Sequence, residues 1–148
     1  MNRSVSYRPD GYHNLTPYLI VKDGAAAIEF YKAAFDAIVR EQMMTGDGRV
    51  RHAELMIGDS PVMLGEHDDV EIKATPHYAP VSLYAYVADA DAVFAKAVAA
   101  GATVVAPVTK KFYGNREGGV TDSFGITWWL ATRVEELTEE EMKQRSTF

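Results

Sequence analysis

The chain has 148 residues, 47% of them hydrophobic, a net charge of −6 and no cysteine. That length suits one domain burying roughly 68–70% of its unfolded surface, and the missing cysteines exclude disulfides, thiolate metal sites and thiol nucleophiles. The acidic balance argues against a phosphate-tracking surface, Lys110-Lys111 being the one basic pair that stands out.

The N-terminus has no apolar signal region and no window approaches the roughly 18 apolar residues of a membrane span, so the chain reads as soluble and cytoplasmic, without membrane or nucleic-acid partners. Residues 1–11 are polar, with Pro9 and Gly11, and read as an arm. A first strand is expected over 15–21, with Leu19 and Val21 on one face and Thr16, Tyr18 and Ile20 on the other. Asp23 is placed to cap a helix whose buried stripe is Ala27, Ile28, Tyr31, Ala34 and Phe35. A second strand over 37–44 leads to the turn Thr45-Gly46-Asp47-Gly48. The third strand, 50–57, alternates cleanly, Ala53, Leu55 and Ile57 opposing His52, Glu54 and Met56. Gly58-Asp59-Ser60-Pro61 then turns the chain into a short strand over 62–64.

Residues 67–79 are polar and aperiodic and read as a linker. Beyond them the order repeats: a strand over 81–87, a helix over 90–100 ended by Gly101, a strand over 103–105, a loop over 112–119 and two closing strands. Thr138 and Glu141 form a capping-box pattern, with Leu137 and Met142 as its hydrophobic staple, for a C-terminal helix over about 138–146. Laying residues 16–35 over 82–101 brings Tyr18 onto Tyr84, Val21 onto Val87, Asp23 onto Asp89 and Ala26 onto Ala92. A repeat this long sets the architecture: one α+β domain of two tandem βαβββ modules, about 12–66 and 80–132, plus the C-terminal helix.

Two such units, with the stretches Pro17–Tyr31, His52–Ser60, Asp89–Gly101, Phe112–Arg116, Asp122-Ser123-Phe124-Gly125 and Glu139-Glu140-Glu141-Met142, resemble the vicinal oxygen chelate superfamily. It includes glyoxalase I, extradiol dioxygenases, fosfomycin-modifying enzymes and bleomycin-binding proteins, and the closer likeness is to its PhnB-like branch. The resemblance implies two halves of a curved sheet, helices on the convex side and a ligand enclosed on the other. Leu19, Leu55, Leu83 and Leu130 would then lie under the helices. The family's metal ligands sit on the first and last strand of each module, here Thr16, Met63, Ser82 and Trp129. Two hydroxyls, a thioether and an indole do not make a divalent-ion site, so no metal or other cofactor is expected. Ser123 and Ile126 stand where the PhnB-like proteins usually have Pro and His.

Thr16, Tyr18, Met63, Ser82, Tyr84, Tyr86, Tyr113, Arg116 and Trp129 are therefore candidate ligand-binding residues. The aromatics offer stacking surfaces, or else ordinary packing, and Arg116 an anion fork, or else a solvated side chain. His52 and Glu54, at i and i+2 on the same strand face, form either an acid/base pair or a hydrogen-bonded pair that orders the strand. His13, His67 and His77 are scattered on polar segments, and Glu135–Glu141 is an acidic helix start favoured by the helix dipole. The leading expectation is a homodimeric protein of the bleomycin-resistance kind that binds a small aromatic or planar molecule in a metal-free cavity. The alternatives are an enzyme of glyoxalase or dioxygenase type using His52 and Glu54, and a pure assembly module.

Overall fold

The computed structural model describes residues 10–13, 16–66 and 82–145. The elements run β1 (Tyr18–Val21), α1 (Gly24–Phe35), β2 (Ile38–Met44), β3 (Val50–Ile57), β4 (Ser60–Glu66), β5 (Ser82–Tyr86), α2 (Ala90–Ala99), β6 (Thr103–Lys110), β7 (Asn115–Thr121), β8 (Thr127–Arg133) and α3 (Glu139–Arg145). They build two four-stranded sheets of identical order, β1-β4-β3-β2 and β5-β8-β7-β6, so each βαβββ module is a complete sheet. In both, the first strand is parallel to the last and the other neighbours are antiparallel. The chain falls into two compact units: one holds β1–β4 and most of α1, the other β5–β8, α2, α3 and the last turn of α1, Ala33–Phe35.

Both helices start at the residues that the repeat singled out. The Asp23 carboxylate accepts from the Ala26 N–H at 3.0 Å and the Asp89 carboxylate from the Ala92 N–H at 3.1 Å, each satisfying a donor that the first helical turn leaves unpaired. Gly24 opens α1 for a packing reason, since a Cβ there would come within 2.7 Å of the Val50 Cβ. The helix ends at Asp36, a non-glycine residue in the left-handed region at φ 54°, whereas α2 ends at Ala100, with Gly101 supplying the positive φ of 113°.

In the first unit Leu19, Val21, Ala53, Leu55, Val62 and Leu64 are buried on one face of the sheet, while Tyr18 and Ile20 on the other stay 47% and 42% exposed. In the second unit Val120, Trp128 and Leu130 are buried, and Tyr84 and Tyr86 are exposed. Leu83, expected beside them in the core, is half-buried.

Four boundaries differ from expectation. The strand over 103–105 extends to Lys110, and that over 62–64 runs from Ser60 to Glu66. The loop over 112–119 is only a turn at its start, because from Asn115 onward the chain is β7, hydrogen-bonded on both sides. Its two glycines hide the strand pattern, and both are required by close packing: a Cβ at Gly118 would come within 2.8 Å of Val108, and one at Gly119 within 2.7 Å of Trp129. The helix over 138–146 begins at Glu139, capped by Thr138, whose Oγ1 accepts from the Glu141 N–H at 3.1 Å. Most of the 1–11 arm and the whole 67–79 linker lie outside the described residues.

Candidate functional site

The sheet face opposite the buried residues carries a polar group in each module, placed by strand register. In the first unit Tyr18 lies beside Met63, and Met63 beside Glu54, which in turn pairs with Glu41 of β2. In the second, Tyr84 lies beside Trp129, Trp129 beside Gly119, and Gly119 beside Ala106. Glu54 and Gly119 are therefore equivalent, and two residues back His52 and Glu117 are equivalent as well. The tyrosine of the first strand reaches this second position in both modules. Tyr18 Oη is 3.0 Å from His52 Nδ1, and Tyr84 Oη donates to Glu117 Oε1.

Around His52 the group extends to Glu54, whose Oε2 lies 3.8 Å from His52 Nε2, and Glu54 Oε1 accepts from Tyr12. Hydrogen bonds from Glu41 and Tyr12 hold the Glu54 carboxyl below the usual carboxylate range. Glu41 is raised by its hydrogen bond to Glu54 and by the Glu54 charge. The bond to Glu54, followed by burial, pushes Tyr12 up to about 12.

The second group is more enclosed. Glu117 is 6% exposed, with Oε1 bonded by Tyr84 and Oε2 accepting from Tyr113 at 2.7 Å, while Asn115 Nδ2 donates to Tyr84 Oη at 3.0 Å. Burial first and the bond to Glu117 second push Tyr84 up to about 12, and the same causes raise Tyr113. The Trp129 ring lies against Gly119, and the Tyr84 and Tyr86 rings pair at 5.3 Å between centroids.

Of the expected site residues, Tyr18, His52, Glu54 and Met63 come together in the first unit, and Tyr84, Tyr86, Tyr113 and Trp129 in the second. Thr16 is half-buried just ahead of β1, and Ser82 is exposed at the start of β5, paired with Thr127. Arg116 does not join the group. Alternation along β7 puts it on the face opposite Glu117, where Nε and Nη2 bind Asp91 at 2.7 and 2.8 Å, so its fork is already occupied. His13 is exposed, while His67, Asp68 and His77 lie outside the described residues. Glu66 accepts from the Val50 N–H at 2.6 Å and faces Arg49 at 3.5 Å.

Tyr12, Glu41, Asn115 and Glu117 escaped the sequence reading. For Glu117 the available signal was its equivalence to His52. That equivalence is displaced by one residue from the match that aligns Tyr18 with Tyr84, so the simple overlay sets His52 against Gly118.

The residues at the positions where the resemblance would put a metal do not fit a divalent ion. Thr16, Met63, Ser82 and Trp129 offer no carboxylate or imidazole, and among the described residues no group of three or more His, Asp or Glu is arranged to hold one.

The family model for the Glyoxalase/Bleomycin resistance protein/Dioxygenase superfamily matches residues 12–130. The chain is 39% identical over 137 residues to the uncharacterized protein Mb0911c of Mycobacterium bovis, the match covering 87% of this chain and 89% of that one. Among solved structures, the gene product AT5G48480 of Arabidopsis thaliana is 29% identical with a TM-score of 0.64, over 81% of this chain and 98% of that one. The PhnB protein from Bacillus cereus is 23% identical with a TM-score of 0.65, over 81% and 99%, a likeness of fold. With that model matching most of its length and with two βαβββ modules of identical strand order, the chain belongs to the glyoxalase/bleomycin resistance protein/dioxygenase superfamily.

Proposed function

We propose that the protein binds a small aromatic or planar molecule on the sheet faces that carry Tyr18 and Tyr84, without a divalent metal, as bleomycin-resistance-type proteins of its superfamily do. One observation carries the reading: where the family's chelating side chains are expected, the chain has Met63 beside Tyr18 and Trp129 beside Tyr84, surfaces suited to stacking and van der Waals contact. Exposed Tyr18, Tyr84 and Tyr86 enlarge that surface. Thr16 and Ser82 sit at its margin, and Tyr113 acts through Glu117. Within the superfamily we assign the chain to the PhnB-like branch, on the Phe112-Tyr113-Gly114-Asn115-Arg116 stretch and the PhnB neighbour. The same reading has it act in the cytoplasm as a symmetric homodimer, with no nucleic-acid or membrane partner. Among the described residues each sheet ends in edge strands with no further strand beside them, which favours pairing between copies, and no helix is long and apolar enough to cross a membrane.

The test is native mass spectrometry of the freshly purified protein before and after denaturation. A metal-free dimer carrying an organic adduct that is lost on denaturation supports the reading; one divalent ion per chain overturns it.

The His52 geometry favours a second reading. The ring has Tyr18 Oη at 3.0 Å from Nδ1 and the Glu54 carboxylate at 3.8 Å from Nε2, which sets an imidazole and a carboxylate close enough for an acid/base pair that tightens around a substrate. Turnover abolished by His52→Ala with folding intact would put this enzyme reading first. Ligand binding unchanged by that substitution, with no turnover of the bound molecule, would dismiss it.

A further inference from the structure

We propose that Glu117, ringed by Tyr84, Tyr86, Tyr113 and Trp129, forms a site for an organic cation: a small ammonium compound carrying an aromatic or alkyl body. The proposal rests on the binding reading above and narrows its ligand class. Glu117 is almost fully buried, and both its oxygens accept phenol protons, from Tyr84 and from Tyr113. Buried carboxylates are ordinarily matched by a positive charge. Among the described residues no Lys, Arg or His pairs with Glu117: adjacent Arg116 is turned to Asp91 on the other face, and Lys110 Nζ is 2.7 Å from Glu135. Each carboxylate oxygen accepting one hydroxyl keeps a further acceptor direction, and that is the place for a cation from outside the chain.

The surroundings select the kind of cation. Ala131, a small residue, lies between Glu117 and Tyr86 in the strand register, the Trp129 indole covers Gly119 next to them, and Tyr84 and Tyr86 are 46% and 70% exposed. Ring faces carry negative potential, so they attract an alkylated or aryl ammonium and cover its apolar body, whereas a hydrated metal ion gains little from them. An anion would meet the Glu117 charge with nothing to offset it. The first module has no such arrangement, because its equivalent positions hold His52 and Glu54 in place of Glu117 and Gly119.

The test titrates the full chain with phenyltrimethylammonium and, separately, with its neutral isostere tert-butylbenzene, followed by tryptophan fluorescence and calorimetry. The cation is expected to bind at least about tenfold more tightly, and Glu117→Gln to shrink that advantage to less than about threefold. If Glu117→Gln fails to fold, Tyr86→Ala, at an exposed position, is expected to weaken the cation about threefold or more. Equal affinity for the two probes overturns the cation assignment and leaves the aromatic-binding reading standing. Failure of both probes to bind overturns both.

Discussion

The Trp129 indole packs against Gly119, so close that a methyl group on residue 119 would come within 2.7 Å of Cζ3, 2.8 Å of Cε3 and 3.0 Å of Cη2. The missing side chain at 119 is what leaves room for the indole of its cross-strand neighbour, which also pairs with Tyr84. Gly119→Ala is therefore expected to destabilise the protein by about 1–3 kcal/mol in urea unfolding and to shift the tryptophan emission, because the overpacked ring must leave its place. Unchanged stability and emission would mean that the ring moves aside freely and does not form a fixed surface.

The turn between β7 and β8 depends on one buried carboxylate. Asp122, 2% exposed, accepts from the N–H groups of Phe124 and Ile126 at 2.9 and 3.0 Å and from Trp128 Nε1 at 2.9 Å. Asp122→Ala strips buried donors of their acceptor and is expected to lower the unfolding free energy by about 2–4 kcal/mol, with Asp122→Asn intermediate. A loss below about 1 kcal/mol would show that water replaces the carboxylate there.

Glu135 ties the segment after β8 to its surroundings, with Arg145 of α3 at 3.1 Å and Lys110 of β6 at 2.7 Å. Those two partners lower its carboxyl from the ordinary 4.5 to about 2. A carboxyl depressed on folding adds stability that is fully present above its unfolded value and is lost as pH falls toward the folded one. Unfolding measured from pH 5 to pH 2 should accordingly lose stability less steeply in Glu135→Gln than in the native protein. Parallel curves would place Glu135 outside the acid response.

Burial and the bond to Glu117 push Tyr84 up to about 12, the bond to Glu54 and burial push Tyr12 up to about 12, and Tyr113 is raised as well, above the ordinary 10. Phenols raised on folding add stability that is present below pH 10 and is lost as pH climbs through the folded value. Alkaline titration followed by phenolate absorbance should show a late class among the eight tyrosines. Glu117→Gln should bring part of that class to lower pH, since burial contributes the rest of the shift. A single transition near pH 10 in the native protein would refute the buried phenol–carboxylate group.

Much of this was legible in the sequence because the signals are local. Asp23 and Asp89 announce helix starts, and Leu19 and Val21 alternate with Tyr18 and Ile20, since caps and strand faces depend on residues a few positions apart. Thr138 and Glu141 announce α3, although the Glu141 carboxylate takes the Thr138 hydroxyl at 3.2 Å. β7 was illegible because glycine at 118 and 119 reads as a loop, and it is the approach of Val108 and Trp129, distant in sequence, that demands glycine there. Arg116 was left between an anion fork and a solvated side chain for a related reason. Its partner Asp91 lies on α2, and only the folded sheet shows that the fork is occupied.

The sequence by itself determined the duplicated βαβββ plan, the helix starts, the buried faces of the strands and the poor metal chemistry of Thr16, Met63, Ser82 and Trp129. Periodicity and side-chain chemistry are properties of single segments. The tertiary structure alone decided that His52 and Glu117 are counterparts, that Tyr84 and Tyr113 converge on one buried carboxylate, and that Arg116 belongs to the other face. Each of these follows from strand register, and a shift of one residue in register moves a side chain to the opposite side of its sheet.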